Sequence, residues 1–196
     1  MTIEAKLTES LGFVWTESGD LGLAALTHFL SGKALDVQGL IGVAKTDTSK
    51  PYGRRVLFQN DDLEVMVAAW TRGVPCAPHD HGGSSGAVRV LQGRSRHLIW
   101  DVVDGALQVV KEEIVTPGGV MVCGVDMVHS MADDGASEPL VTLHMYSDPV
   151  AHMVVYDLAA GRTLKVDGGC GAWVPSEGSD QILKSRQGMM PSHEML

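Results

Sequence analysis

A chain of 196 residues with 44% hydrophobic residues is long enough for one well-filled core and too apolar for a disordered polymer. A formal charge of −9 argues against a nucleic-acid partner, which needs a basic face, and it is most simply read as solubility. Cys76, Cys123 and Cys170 are widely spaced with no CxxC pair, which argues against a disulfide framework and fits a reducing cytoplasm.

The first residues, MTIEAKLTESLG, have neither the basic region nor the apolar core of a signal peptide. Residues 3–45 read as helices: Leu21, Leu23, Leu26, Phe29 and Leu30 recur at near-helical spacing, and a second apolar set runs from Leu35 to Val43. Thr16, Ser18 and Asp20 are candidate caps, while His28, Lys33 and Asp36 interrupt the stretch too often for a membrane span. Residues 46–53, TDTSKPYG, read as a linker.

After Arg54 short β-prone runs follow one another, over 63–70, 87–93, 96–103, 106–115, 120–125, 140–146, 153–158 and 163–166. Asp104-Gly105 reads as a hairpin turn, and Thr116-Pro117-Gly118-Gly119 as a second reversal. This spacing predicts a mostly β sandwich or barrel. Residues 167–196 lack periodicity and read as a wrapping tail, open to disorder at its end. The chain is thus expected to be one domain, with helices over 1–50, a barrel over 51–166 and the tail.

His79 and His81, two residues apart, point to one face of an extended segment and can share one metal ion. A first-row ion needs at least one more ligand. His28, in the helical stretch, and His193, in the tail, are discounted; His97, His129, His144 and His152 remain as candidates.

The spacing of Gly73, His79, His81, Gly86 and Gly93 resembles the first motif of the cupin barrels, with Gly86 where that motif usually has Glu. Gly118, Gly124, Asp126, His129 and Asp133 partly resemble the second, and His129 falls where the third histidine ligand belongs. The resemblance implies a cupin, a double-stranded β-helix or jelly-roll barrel with N-terminal α-helices. It also sets the register: with Gly86 inside and a bulge at Gly82-Gly83-Ser84-Ser85, Val88 and Val90 face inward and Arg89 outward. Three neutral imidazoles without a carboxylate leave the ion its full charge and open positions, which suits a thiolate and dioxygen.

HDHGGSSGAVRVLQG (79–93), LHMYSDP (143–149), PYGRR (51–55) and Trp70 resemble segments of the cysteine dioxygenase family, over roughly residues 51–162. The resemblance implies that His79, His81 and His129 ligate iron(II). It implies that Arg54 binds a substrate carboxylate, for which a guanidinium fork is suited, and that Tyr52 lines the pocket. Tyr146 would place its hydroxyl by the reacting sulfur. His144 and Thr142, two and four residues earlier on the same strand face, would hold it in a hydrogen-bonded relay. The implied reaction adds both atoms of O2 to the sulfur of a small carboxylated thiol, first of all L-cysteine, giving a sulfinate.

Animal members of the family carry cysteine at the position of Gly86, where it can crosslink to the tyrosine; bacterial members resemble this chain. An uncrosslinked Tyr146 and a roomier pocket are therefore expected. The alternatives are another thiol, 3-mercaptopropionate or mercaptosuccinate, and a non-catalytic ligand-binding cupin; a zinc or manganese isomerase is disfavoured by the missing carboxylate. The partners expected are a thiol and O2, with no nucleic acid or membrane, in a monomer or small homo-oligomer. His97 and His152 read as structural, His97 as a satisfied surface or strand histidine without a motif partner. The cysteines and methionines read as core filling.

Overall fold

The computed structural model describes residues 2–9, 22–32 and 35–195. Three helices come first: α1 over residues 3–9, α2 over Leu23–Ser31 and α3 over Val37–Val43. The candidate caps Thr16, Ser18 and Asp20 lie outside the described residues. Asp36 caps α3 instead, its carboxylate accepting from Gly39 N at 2.9 Å. None of the described helices is long and apolar enough to cross a membrane.

Eleven strands are described: β1 Tyr52–Gln59, β2 Leu63–Trp70, β3 Ser85–Gln92, β4 Ser95–Val103, β5 Ala106–Val115, β6 Val120–Cys123, β7 Val128–Asp133, β8 Val141–Ser147, β9 His152–Asp157, β10 Arg162–Asp167 and β11 Ile182–Gln187. One sheet has the order β1-β2-β8-β3-β6. The other contains β5-β4-β7 and β9-β10-β11, joined by the extended segment 76–80. That segment bonds to β7 through Cys76 and His79, and to β9 through Asp80 N donating to Val154 O and Tyr156 N to Pro78 O. The result is the expected cupin barrel, a double-stranded β-helix preceded by helices.

Alternation places three clusters. Ala68, Trp70, Val88, Val90, Met131 and Val155 fill the barrel. Val65, Val67, Ala87, Leu91 and Leu143 leave the first sheet on its other face and meet Leu26, Phe29 and Leu30 of α2. All of β2 is buried because both of its faces are covered, which explains its almost unbroken apolar run. Each large side chain that α2 buries contributes about 1.5–3 kcal/mol. Arg89 faces outward, as the bulged register predicts, and its guanidinium donates to Leu30 O and Gly32 O at 2.5 and 2.7 Å. It thereby satisfies carbonyls that the end of α2 leaves open.

The third cluster shows the tail wrapping the barrel and adding a strand that the sequence did not mark. β11 pairs with β10, and Met195, Met189 and Met190 cover Val128, Val154 and Tyr156 on the outer face of the second sheet. Tyr156 donates to Met190 O at 2.8 Å. The linker expected at 46–53 also ends early, since Tyr52 already begins β1. The Asp104-Gly105 turn is as expected: both residues have positive φ, +52° and +75°, joining β4 to β5 in the sense that matches strand twist.

Candidate metal centre

The barrel topology brings His79, His81 and His129 together. His79 and His129 sit opposite each other across the seam between segment 76–80 and β7, and the N–H of each donates to the other's carbonyl at 2.9 Å. His81 follows two residues later and turns the chain at Gly82 and Gly83, both with positive φ. A Cβ on Gly82 would lie 2.0 Å from His152 O, so only glycine fits there. The three rings are buried, with centroids 4.6 to 5.2 Å apart, and one ligand nitrogen from each lies within 4.8 Å of the others.

Hydrogen bonds fix which nitrogens of His79 and His129 face the centre. His79 Nδ1 lies 2.9 Å from Ala77 O, which can only accept, so Nδ1 carries the proton and Nε2 is bare. Glu113 Oε1, 3.0 Å from His97 Nδ1, likewise assigns that proton to His97 Nδ1. His97 Nε2, 2.9 Å from His129 Nδ1, must then accept from it, which bares His129 Nε2. That nitrogen lies 3.2 Å from His81 Nε2. Two nitrogens bound side by side to one ion at about 2.1 Å would be about 3 Å apart, so the donor set fits a divalent metal. Burial, the largest cause, pushes His79 down to about 4 and holds His81 and His129 well below the ordinary histidine range. All three imidazoles are therefore neutral, as ligands must be.

A second chain of bonds reaches the same cavity. Trp70 Nε1 donates to Thr142 Oγ1 at 2.9 Å, Thr142 Oγ1 is 2.8 Å from His144 Nε2, and His144 Nδ1 is 2.9 Å from Tyr146 Oη. The indole can only donate. The arrangement that uses every proton has Thr142 donate to His144 Nε2 and His144 Nδ1–H donate to the phenol oxygen. The Tyr146 proton is then free to point at the site, 4.8 Å ring to ring from His81. Burial pushes His144 down to about 3 and Tyr146 well above the usual phenol range, so the relay is uncharged.

Tyr52 lines the cavity and accepts from Ala172 N at 2.9 Å. Arg54 and Arg55 face opposite ways: Arg55 pairs with Glu4 on the helical side, while Arg54 sits opposite inward-facing Ala68. The Arg54 guanidinium donates to Gly168 O and Gly169 O, at 3.0 and 2.9 Å, and its charge is felt at Tyr146. It is not in the cavity wall. That wall contains Met66, Trp70, Cys76, Met131, His144 and Tyr146 around about 20 Å³, enough for about one water. The expected extra room at Gly86 is absent. Gly86 is the strand partner of Tyr146, whose Cδ1 lies only 2.5 Å from where a Cβ would stand, so the ring takes the space.

Sequence reasoning missed three contributors. His97 is 1% exposed and bonded to a candidate ligand, contrary to its reading as a histidine without a motif partner. Glu113, on the neighbouring strand, completes its bonding. Glu64 is a buried acid on the inward face of β2 opposite Tyr146; an alternation count from Met66 could have found it. Cys76 and Cys123 place their sulfurs 3.9 Å from Nδ1 of His79 and His129, and burial pushes both thiols up to about 12.

A family model described as cysteine dioxygenase type I matches residues 23–159, which include all three clustered histidines. Cysteine dioxygenase type 1 of Danio rerio is 23% identical over 156 residues, covering 74% of this chain and 75% of that protein. The Homo sapiens protein of the same name is 28% identical over 120 residues, covering 59% and 60%. A solved protein with a double-stranded β-helix domain from Klebsiella pneumoniae aligns with a TM-score of 0.47 at 16% identity, covering 60% of this chain and 94% of that one. With the family model spanning most of its length, the chain belongs to the cysteine dioxygenase type I family.

Proposed function

We propose that the protein is an iron(II)-dependent thiol dioxygenase acting in the cytoplasm, converting a small carboxylated thiol, first of all L-cysteine, to its sulfinate: R–SH + O2 → R–SO2H. The observation that carries this reading is the convergence of three neutral imidazoles, with no carboxylate among them, beside a tyrosine hydroxyl held by His144 at 2.9 Å. When bound, the iron supplies the redox and Lewis-acid chemistry that joins sulfur and dioxygen. His79, His81 and His129 would hold it.

The remaining work belongs to the chain. Arg54 takes the substrate carboxylate and so orients the sulfur, exchanging its bonds to Gly168 O and Gly169 O for a charged acceptor. Tyr146 donates a hydrogen bond toward the sulfur and its developing oxygens, while Thr142 and His144 fix the direction of that donation. The buried wall of Trp70, Met131 and Tyr52 keeps water out, and the unbranched Met66 and Met131 yield room for the ligand.

The test is metal analysis of the purified protein, then oxygen uptake and sulfinate detection with L-cysteine, 3-mercaptopropionate and mercaptosuccinate. All three carry the carboxylate that Arg54 would bind, so the panel separates substrate from reaction class. An iron-loaded protein that consumes no oxygen with any thiol would favour a ligand-binding barrel instead.

A further inference from the structure

The three clustered imidazoles are held unequally. His79 gives its Nδ1 proton to a main-chain carbonyl. His81 Nδ1 is buried with no hydrogen-bond partner. His129 alone is bonded to an imidazole outside the cluster, and that one to a carboxylate.

The line crosses three adjacent strands. Glu113 on β5 is the strand partner of His97 on β4, and β4 pairs with β7, which carries His129. His97 is sealed at 1% exposed, whereas the Glu113 side chain reaches the surface at 32% and pairs through its other oxygen with Lys111 at 2.7 Å. Protons can run in one direction only along such a line. A carboxylate cannot donate, so each imidazole must present N–H toward Glu113 and a lone pair away from it. The far end of the line is His129 Nε2, facing His81 Nε2 at 3.2 Å.

We infer that His97 and Glu113 are positioning residues that lock His129 in its metal-ligating tautomer and thereby set the affinity of the centre. Without them His129 can place its proton on Nε2, the atom that must bind the ion. This rests on the metal-centre reading above and adds to it a part that the three ligands do not contain. The alternative is that His97 merely fills space in the sheet.

Cobalt(II) titration of the metal-free protein, followed by visible absorption and chelator competition, separates the two without turnover. His97→Leu keeps bulk but cannot accept from His129, and should weaken cobalt binding about 10–100-fold. His97→Gln restores an acceptor at that place and should recover most of the loss, which a space-filling role would not require. Glu113→Leu, at the partly exposed end, removes the acceptor that orients His97 and should weaken binding by about tenfold. It carries the test if His97→Leu does not fold. The inference is overturned if His97→Leu, or Glu113→Leu in its place, binds within about twofold of the parent, or if Gln at position 97 is no better than Leu. A parent that takes up no cobalt would remove the metal-centre reading and this inference with it; a parent that binds as well as an intact His97→Leu removes this inference alone.

Discussion

Adding one methyl group at Gly86 should disable the tyrosine relay. An alanine Cβ would stand 2.5 Å from Tyr146 Cδ1, 2.8 Å from Cε1 and 3.0 Å from Met145 O. Two of these are below any ordinary contact, and the third is main chain, so the ring rather than the strand must yield. Its hydroxyl, 2.9 Å from His144 Nδ1, then leaves hydrogen-bond range. Overpacking of this kind costs about 1–3 kcal/mol. For a chain of this size each kcal/mol lowers Tm by about 2–4 °C, so Gly86→Ala should unfold about 2–12 °C early. The decisive assay is a double-mutant cycle of Gly86→Ala with Tyr146→Ala, read by denaturant unfolding. Removing the ring removes the clash, so the second substitution should recover about 1–3 kcal/mol of what the first one costs. Additive losses would show that the ring does not occupy this space, and the steric account of Gly86 would fall.

Three further outcomes are expected. His129→Ala should lose stoichiometric iron and thiol-dependent oxygen uptake together; retained iron on metal analysis would remove His129 from the ligand set. Arg54→Ala should raise KM for carboxylated thiols more than it lowers kcat, and unchanged KM would assign Arg54 only to holding the Gly168-Gly169 loop. Acid should destabilise the metal-free protein through His144, whose folded pKa of about 3 lies below its ordinary 6.5. The unfolded chain binds that proton first, so this contribution is complete above pH 6.5 and is lost as pH falls toward 3. The slope between pH 6 and pH 4 should be about 1.4 kcal/mol per pH unit shallower in His144→Phe. Equal slopes in urea titrations would contradict a buried neutral His144.

Much of the barrel is legible because its strands carry apolar residues in alternation: β2 and β5 have the boundaries read from sequence. β7 is not, because its inward positions are His129, Met131 and Asp133; the ligand itself breaks the pattern that would mark its strand. β11 is hidden by the opposite cause. It lies at a sheet edge and is exposed over most of its length, so its Lys184 and Arg186 carry no burial signal. The clustering of His79, His81 and His129 follows the two motif spacings, yet His97 joins only through pairing across β4 and β7, which no spacing in one segment encodes.

A catalyst of thiol oxidation faces a hazard that other enzymes do not, since its own sulfhydryls resemble its feedstock. Cys76 and Cys123 stand beside the histidine cluster with their protons firmly held, shielded from solvent. In that condition they are poor nucleophiles toward disulfides and poor prey for peroxide. The barrel should therefore tolerate air, cystine and turnover without forming mixed disulfides at its centre, and ageing of the preparation should leave these two sulfurs alkylatable only after unfolding.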